Sequence, residues 1–107
     1  MSRESIILYR TEGGREPFTD WINGLRDKSG ALRIRARIVR MEDGNLGDHK
    51  SVGAGVFELR LHFGPGYRVY FGQDGDSLVI LLCGGDKATQ DRDIDRAKAY
   101  WADWNDR

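Results

Sequence analysis

The sequence of 107 residues has little of what secreted, membrane-spanning or metal-binding proteins depend on. It holds one cysteine and two histidines, which excludes a disulfide framework and argues against a zinc site. No apolar run approaches the ~20 residues that a membrane-spanning helix requires, and we expect no signal peptide at the N-terminus. These absences predict a single cytosolic domain over residues 1–107, with one core, no metal and no cofactor.

The chain also has no net charge, because 17 basic side chains balance 17 acidic ones. That balance argues against a protein that coats nucleic acid non-specifically. The charges are unevenly distributed, since residues 25–73 hold nine basic and five acidic side chains (net +4) and residues 74–107 hold five and eight (net −3). A basic middle can mark an anionic partner, although on this feature alone ordinary solubilising charge is the simpler explanation.

The first half of the chain is predicted to form one strand and two short helices. Ser5–Arg10 is a short apolar strand, and Pro17 then suits the first position of a helix with helical apolar spacing. A second helix, about Ala31 to Asp43, carries an apolar stripe. A separate basic stripe on this helix consists of Arg33, Arg37 and Arg40. The segment 45–55, which holds Lys50, is predicted to be a glycine-bearing loop.

Three strands follow, predicted at residues 56–63, 66–72 and 77–84. Apolar and polar residues alternate in the first two, so each has one apolar face. If both faces meet one core, the numbers of paired residues must add to an even number. A three-residue loop, Gly64 to Gly66, satisfies this condition by pairing His62 with Arg68 and Arg60 with Tyr70. The third strand is almost entirely apolar, which predicts a central position with both faces covered.

A closing helix completes the predicted architecture. Its apolar stripe consists of Ile94, Ala97, Trp101 and Trp104. The element order is therefore β-α-α-β-β-β-α. This order predicts a single α+β domain in which an antiparallel meander sheet packs against helices.

The polar face of the first two meander strands is the strongest candidate for a functional site. It carries Arg60, His62, Arg68 and Tyr70, and we expect it to be open to solvent. Simpler explanations remain for each residue: Arg60 can pair with Glu58, and Tyr70 can be an ordinary half-buried sheet residue. The basic stripe of the second helix can likewise be a solvated helix face.

Several motifs resemble the RelE/ParE toxin superfamily, and most closely its HigB-like addiction module killer branch. They are ELR at residues 58–60, GPGYRVYF at 64–71, LLCGGDK at 81–87 and the ending I-x-x-A-x-x-YW at 94–101. The resemblance runs over nearly the whole chain. It implies a RelE-like fold and the toxin half of a type II toxin–antitoxin pair, of bacterial or phage origin, that commonly cleaves mRNA on the ribosome.

The implied reaction is attack of an RNA 2′-hydroxyl on the adjacent phosphate, without a metal. Such a site needs cations around the phosphate and a group that moves protons. The resemblance assigns Arg60, Arg68 and Lys87 to basic functional positions. The shared face adds His62 as acid or base and Tyr70 as a stacking or proton-transfer group.

Binding residues and alternatives complete the sequence-based hypothesis. The cognate antitoxin and mRNA on the ribosome are the expected partners, with no membrane. Arg33, Arg37, Arg40 and Lys50 are candidates for binding RNA or antitoxin. The alternatives are a gyrase-poisoning ParE-type toxin and a catalytically inactive module that only binds a partner.

Overall fold

A computed structural model describes residues 5–76 and 78–107, and it confirms the α+β class. The strands are β1 (Ser5–Leu8), β2 (His49–Gly53), β3 (Val56–Arg60), β4 (Arg68–Asp74) and β5 (Leu78–Gly85). The helices are α1 (Pro17–Gly24), α2 (Lys28–Glu42) and α3 (Gln90–Asn105), with a 3₁₀ turn at Lys87–Thr89. Ser77, predicted to open the last strand, lies outside the described residues.

The five strands form one sheet in the order β1-β5-β4-β3-β2. Strands β2 to β5 are antiparallel neighbours, whereas β1 runs parallel to β5. The predicted central position of the apolar strand is confirmed, because β5 lies between β1 and β4 and five consecutive residues from Val79 to Cys83 are buried. The predicted loop at 45–55 is wrong in part, since it contains the edge strand β2.

The numbers of the residues paired between β3 and β4 add to an even number, as predicted, but the pairs differ from the predicted ones. Arg60 is opposite Arg68, and Glu58 is opposite Tyr70. The predicted pairs His62–Arg68 and Arg60–Tyr70 are therefore wrong by two residues. The cause is a longer connection, in which Gly66 N–H donates to the Phe63 carbonyl and the Leu61 N–H still reaches the Tyr67 carbonyl.

Two cores cover the two faces of the sheet. The first core packs α1 and α2 against the apolar face of β3 and β4, as predicted; its residues include Phe18, Ile22, Ile34, Ile38, Leu59, Leu61, Val69 and Phe71. The second core packs Ala97 and Trp101 of α3 against the other face, on Tyr70, Ile80 and Leu82. No helix in the described part of the chain combines the length and apolar character that a membrane crossing needs.

The start of α2 is tied to the β3–β4 connection. Asp27 caps the helix by accepting a hydrogen bond from the Gly30 N–H (2.8 Å), and the same carboxylate accepts one from the Tyr67 hydroxyl (2.9 Å). Helix α2 thus begins at Lys28, earlier than the sequence pattern predicts. This contact anchors the helix that carries the basic stripe beside the end of β3.

Gly72 provides a direct test of the second core. A side chain there would overlap the Trp101 ring, which packs against the β4 backbone at this position. We expect Gly72→Ala to lower the free energy of unfolding by about 1–3 kcal/mol, because the ring must shift. Chemical denaturation measures the change. Gly24→Ala is the matched control, since open space surrounds that position; equal losses in both variants would contradict the packing described here.

Candidate functional site

The polar face of β3 and β4 is not open, because α3 covers it. Tyr70 is fully buried and Arg68 is 8% exposed, so the expectation of a solvent-exposed face is wrong. His62 lies beyond the end of β3, and its side chain is 70% exposed. The structure therefore divides the predicted group into a buried part, with Arg68 and Tyr70, and an accessible part, with His62 and the partly exposed Arg60.

The buried part centres on the Glu58 carboxylate. Its Oε2 accepts hydrogen bonds from the Tyr70 hydroxyl (3.1 Å) and from Gln90 Nε2 (2.8 Å), which lies in the first turn of α3. Its Oε1 lies 3.8 Å from Arg68 Nε. Burial, together with the Glu58 charge, raises the pKa of Tyr70 far above its ordinary value. Glu58 therefore pairs with Arg68 rather than with Arg60, and the neutral Tyr70 phenol holds that carboxylate in place.

Arg68 also fixes the loop that precedes β4. Its Nη1 donates hydrogen bonds to the carbonyls of Gly66 (3.0 Å) and Tyr67 (3.3 Å). A Cβ at Gly66 would lie 3.4 Å from both Arg68 Nη1 and Lys87 Cβ, so these two cationic residues flank the same loop. Lys87 is exposed at the start of the 3₁₀ turn. The structure thus places Lys87 and Arg68 beside the same glycine of this loop.

The accessible part is organised by Asp48, which precedes β2. Its Oδ1 lies 3.3 Å from Arg60 Nη2, and its Oδ2 contacts His62 Nε2. The His62 hydrogen bond, followed by the Arg60 charge, lowers the pKa of Asp48 below the ordinary value of a carboxyl group. Arg60 and Arg68 are cross-strand neighbours, and like charges in that arrangement repel. Each arginine is compensated by its own carboxylate, Asp48 or Glu58.

The basic stripe of α2 contains three residues with different roles. Arg37 donates to three carbonyls, those of Arg60 (3.2 Å), Leu46 (3.1 Å) and Asp48 (3.3 Å). Burial lowers the pKa of its guanidinium. Arg33 instead stacks over the Phe63 ring at 3.8 Å, and both Arg33 and Arg40 are exposed. Arg37 is therefore a structural clamp, whereas Arg33 and Arg40 remain accessible to a partner.

These residues form a groove between α2 and the end of β3. It encloses about 290 Å³ and is lined by Arg33, Ala36, Arg37, Arg40, Leu61, His62 and Phe63. We call it the arginine–histidine groove. Lys50 lies elsewhere, exposed on β2 opposite Glu58. Guanidinium groups suit the planar, forked hydrogen bonding of phosphate oxygens, so the groove is chemically suited to an anionic ligand.

Metal binding has no support in the residues that the structure describes. Within 5–76 and 78–107, no group of three or more His, Cys, Asp or Glu side chains is placed to hold a metal ion. Cys83, at the end of the central strand, is buried, which raises the pKa of its thiol to about 12.

Sequence reasoning missed both carboxylates that organise the two parts of the site. Glu58 was visible as a polar residue between Phe57 and Leu59, but its partner could not be identified without the correct register. Asp48 lies in a segment without an apolar pattern, so no periodicity placed it beside β3. Proximity along the chain offered no signal for Asp48, because its partners Arg60 and His62 are 12 and 14 residues away.

Comparisons with known proteins identify the family. Residues 20–102 match the family described as "Phage derived protein Gp49-like (DUF891)". An uncharacterized protein of Haemophilus influenzae (strain Rd) is 53% identical over 81 residues, which cover 76% of this chain and 82% of the relative. The matched segment contains both carboxylates, the arginine–histidine groove and Lys87. The chain belongs to the Gp49-like family of phage-derived proteins.

Proposed function

We propose that this protein is the toxin of a type II toxin–antitoxin module and that it cleaves mRNA on the ribosome in the cytoplasm. The observation that carries the proposal is the arginine–histidine groove, where an exposed histidine lies beside two accessible arginines. Membership of the Gp49-like family and the resemblance to HigB-like toxins support it. The groove offers an anionic chain both charge neutralisation and a proton carrier.

The proposed reaction uses the RNA's own 2′-hydroxyl as nucleophile. His62 takes the 2′-hydroxyl proton while O2′ bonds to phosphorus; the bond to the 5′-oxygen then breaks, and that oxygen takes a proton from solvent. Arg60, Arg33 and Arg40 stabilise the charge that develops on the phosphate. Lys87 contacts a neighbouring phosphate from the Arg68 side. Tyr70, being buried, supports Glu58 and Arg68 rather than stacking on a base.

A second candidate is a toxin that binds a protein target, of the gyrase-poisoning or partner-binding kind. The buried pairing of Arg68 with Glu58 favours it, because a guanidinium held this way is less available to RNA. The two candidates differ in their requirement for His62. A protein-binding toxin needs the shape and charge of the groove but no proton transfer.

Expression of the chain without its neighbouring gene product tests the proposal. We expect growth arrest with cleavage of translated mRNA and without DNA damage. Arg33→Ala/Arg40→Ala should weaken both effects. Arg35→Ala is the matched control, because Arg35 lies on the same helix but donates to Asn23 (2.9 Å) outside the groove. Growth arrest with DNA breaks and intact mRNA would contradict the nuclease and support a gyrase poison.

Antitoxin binding is expected to depend on the same cationic surface. Arg33→Glu/Arg40→Glu should slow association with the cognate antitoxin by about tenfold or more at low salt, because surface charges steer encounter. Stopped-flow measurements over a range of salt concentrations provide the test, with Arg35→Glu as control. Association that is insensitive to salt and to changes at Arg33, Arg40 and Arg60 would count against an acidic antitoxin segment on this surface.

A further inference from the structure

We infer that Asp48 is a positioning residue for His62, which holds the ring by Nε2 and leaves Nδ1 as the atom that exchanges protons with substrate. The inference rests on the proposed function for the identity of the reaction. Its structural part concerns only this chain. It can therefore be tested without RNA.

The contacts of the His62 ring assign different tasks to its two nitrogens. Nε2 contacts Asp48 Oδ2, whereas Nδ1 has no hydrogen-bond partner among residues 5–76 and 78–107. The side chain is 70% exposed and lines the arginine–histidine groove with Arg33 and Arg40. A nitrogen that faces a carboxylate is occupied, so the other nitrogen is available to a ligand in the groove.

A carboxylate at Nε2 also selects the tautomer of the neutral ring. A carboxylate only accepts hydrogen bonds, so Nε2 must carry the hydrogen and Nδ1 must carry the lone pair. Nδ1 can then take a proton from a 2′-hydroxyl and hold it as the imidazolium forms. The Asp48 charge stabilises that imidazolium, and the carboxylate itself stays ionised. Carboxylates that orient histidines in this way support general bases in other enzymes.

Asp48 is itself held rigidly, which a positioning residue requires. Its backbone carbonyl accepts hydrogen bonds from the Arg60 N–H (2.9 Å) and from Arg37 Nη2 (3.3 Å). Gly47 packs directly against the Arg37 guanidinium, where a side chain would collide. The clamp formed by Arg37 thus fixes the backbone from which the Asp48 carboxylate reaches both His62 and Arg60.

The two histidines of the chain allow an internally controlled experiment. His49 contacts the Gly47 carbonyl through Nδ1 (2.9 Å), so its neutral ring must carry the hydrogen on Nδ1. We expect long-range ¹H–¹⁵N spectra of the labelled protein, recorded near pH 8.5 where histidines are mostly neutral, to show opposite tautomers. His62 should be the Nε2–H form, and His49 the Nδ1–H form.

Asp48→Ala should convert His62 to a mixture of tautomers and leave His49 unchanged. Asp48→Asn keeps an acceptor oxygen of similar shape, and it serves as the second variant if the alanine variant folds poorly. It should shift the tautomer balance less. An Nδ1–H form of His62 in the wild-type protein, or a tautomer that does not respond to Asp48→Ala in a folded protein, would overturn the inference.

An activity measurement separates this inference from the proposed function. In a translating system, Asp48→Ala should reduce the rate of mRNA cleavage by about 10-fold or more, because the histidine loses the carboxylate that orients its ring and stabilises the imidazolium. The expected tautomers in a protein that cleaves no mRNA would overturn the proposed nuclease and still support the positioning of the ring. Cleavage at the wild-type rate by folded Asp48→Ala would overturn the catalytic use of Nδ1.

Discussion

Arg68→Ala is expected to lower the free energy of unfolding by about 3–5 kcal/mol, because it leaves the Glu58 carboxylate buried without its cation. Glu58 is fully buried, and Arg68 Nε is the cationic group beside its Oε1. The variant also loses two hydrogen bonds to loop carbonyls. This loss is a large part of the 5–15 kcal/mol by which a domain is ordinarily stable. Urea denaturation followed by circular dichroism measures it.

A second variant separates a stabilising role of Arg68 from a functional one. Glu58→Gln/Arg68→Ala removes the uncompensated charge and retains an amide that can meet Tyr70 and Gln90, so about half of the lost stability or more should return. If Arg68 also contacts RNA phosphate, the double variant will be stable but will not arrest growth. A loss of stability in the double variant equal to the sum of the losses in Glu58→Gln and Arg68→Ala would contradict the ion pair.

His62→Gln is expected to reduce the rate of mRNA cleavage by about 100-fold or more, because glutamine keeps hydrogen bonding but cannot carry a proton near neutral pH. The fold should be little affected, since the His62 side chain is 70% exposed and its hydrogen bond with Asp48 lies at the surface. Primer extension on a translated reporter mRNA gives the cleavage rate. A denaturation curve confirms that the variant is folded.

His49→Gln is the matched control for His62→Gln. His49 is also exposed, lies beside Asp48 in the sequence, and forms a hydrogen bond with the local backbone carbonyl of Gly47. It should cleave at nearly the wild-type rate. If folded His62→Gln also cleaves within about threefold of wild type, the general acid–base role fails, and the groove acts by charge alone.

The helices and the first core were predictable because their apolar residues repeat at strong, regular intervals. Phe18 and Ile22 on α1, and Ile34 and Ile38 on α2, are buried as the spacing predicts. Strand β2 was not predictable in the same way. Its residues are exposed or half-buried, so the edge of the sheet left no apolar alternation in the sequence.

The register error has a different physical origin. The apolar face of each strand requires the numbers of paired residues to add to an even number. Two registers that differ by two residues both meet this requirement, because they place the same side chains on the same face. The choice between them depends on the loop. Gly64 and Gly66 both adopt positive φ values (57° and 79°), and the resulting turn from Phe63 to Gly66 lies inside a longer connection. Backbone angles of this kind cannot be read from residue types alone.

The covered polar face was predictable in principle. The apolar stripe of α3 must be buried against another apolar surface, and α1 and α2 already cover one face of the sheet. The face that carries Tyr70 was the remaining one, and Ala97 and Trp101 indeed pack there. The alternation of polar and apolar residues in β4 suggested that Tyr70 and Arg68 face solvent. Instead, both side chains contact the buried Glu58 carboxylate on β3, which allows them to lie beneath α3. Polar residues on a strand therefore do not by themselves identify an exposed face.

The parallel pairing of β1 with β5 bears on how the chain can fold as it is synthesised. Ser5 is paired with Leu78, so the first strand acquires its neighbour only after most of the polypeptide has left the ribosome. The antiparallel strands β2, β3 and β4 are joined by short connections and precede β5 in the chain, so they can pair earlier. We expect nascent chains stalled before residue 78 to remain sensitive to protease at Ile6 and Ile7, and full-length chains to be protected. An early protected N-terminus would contradict this order.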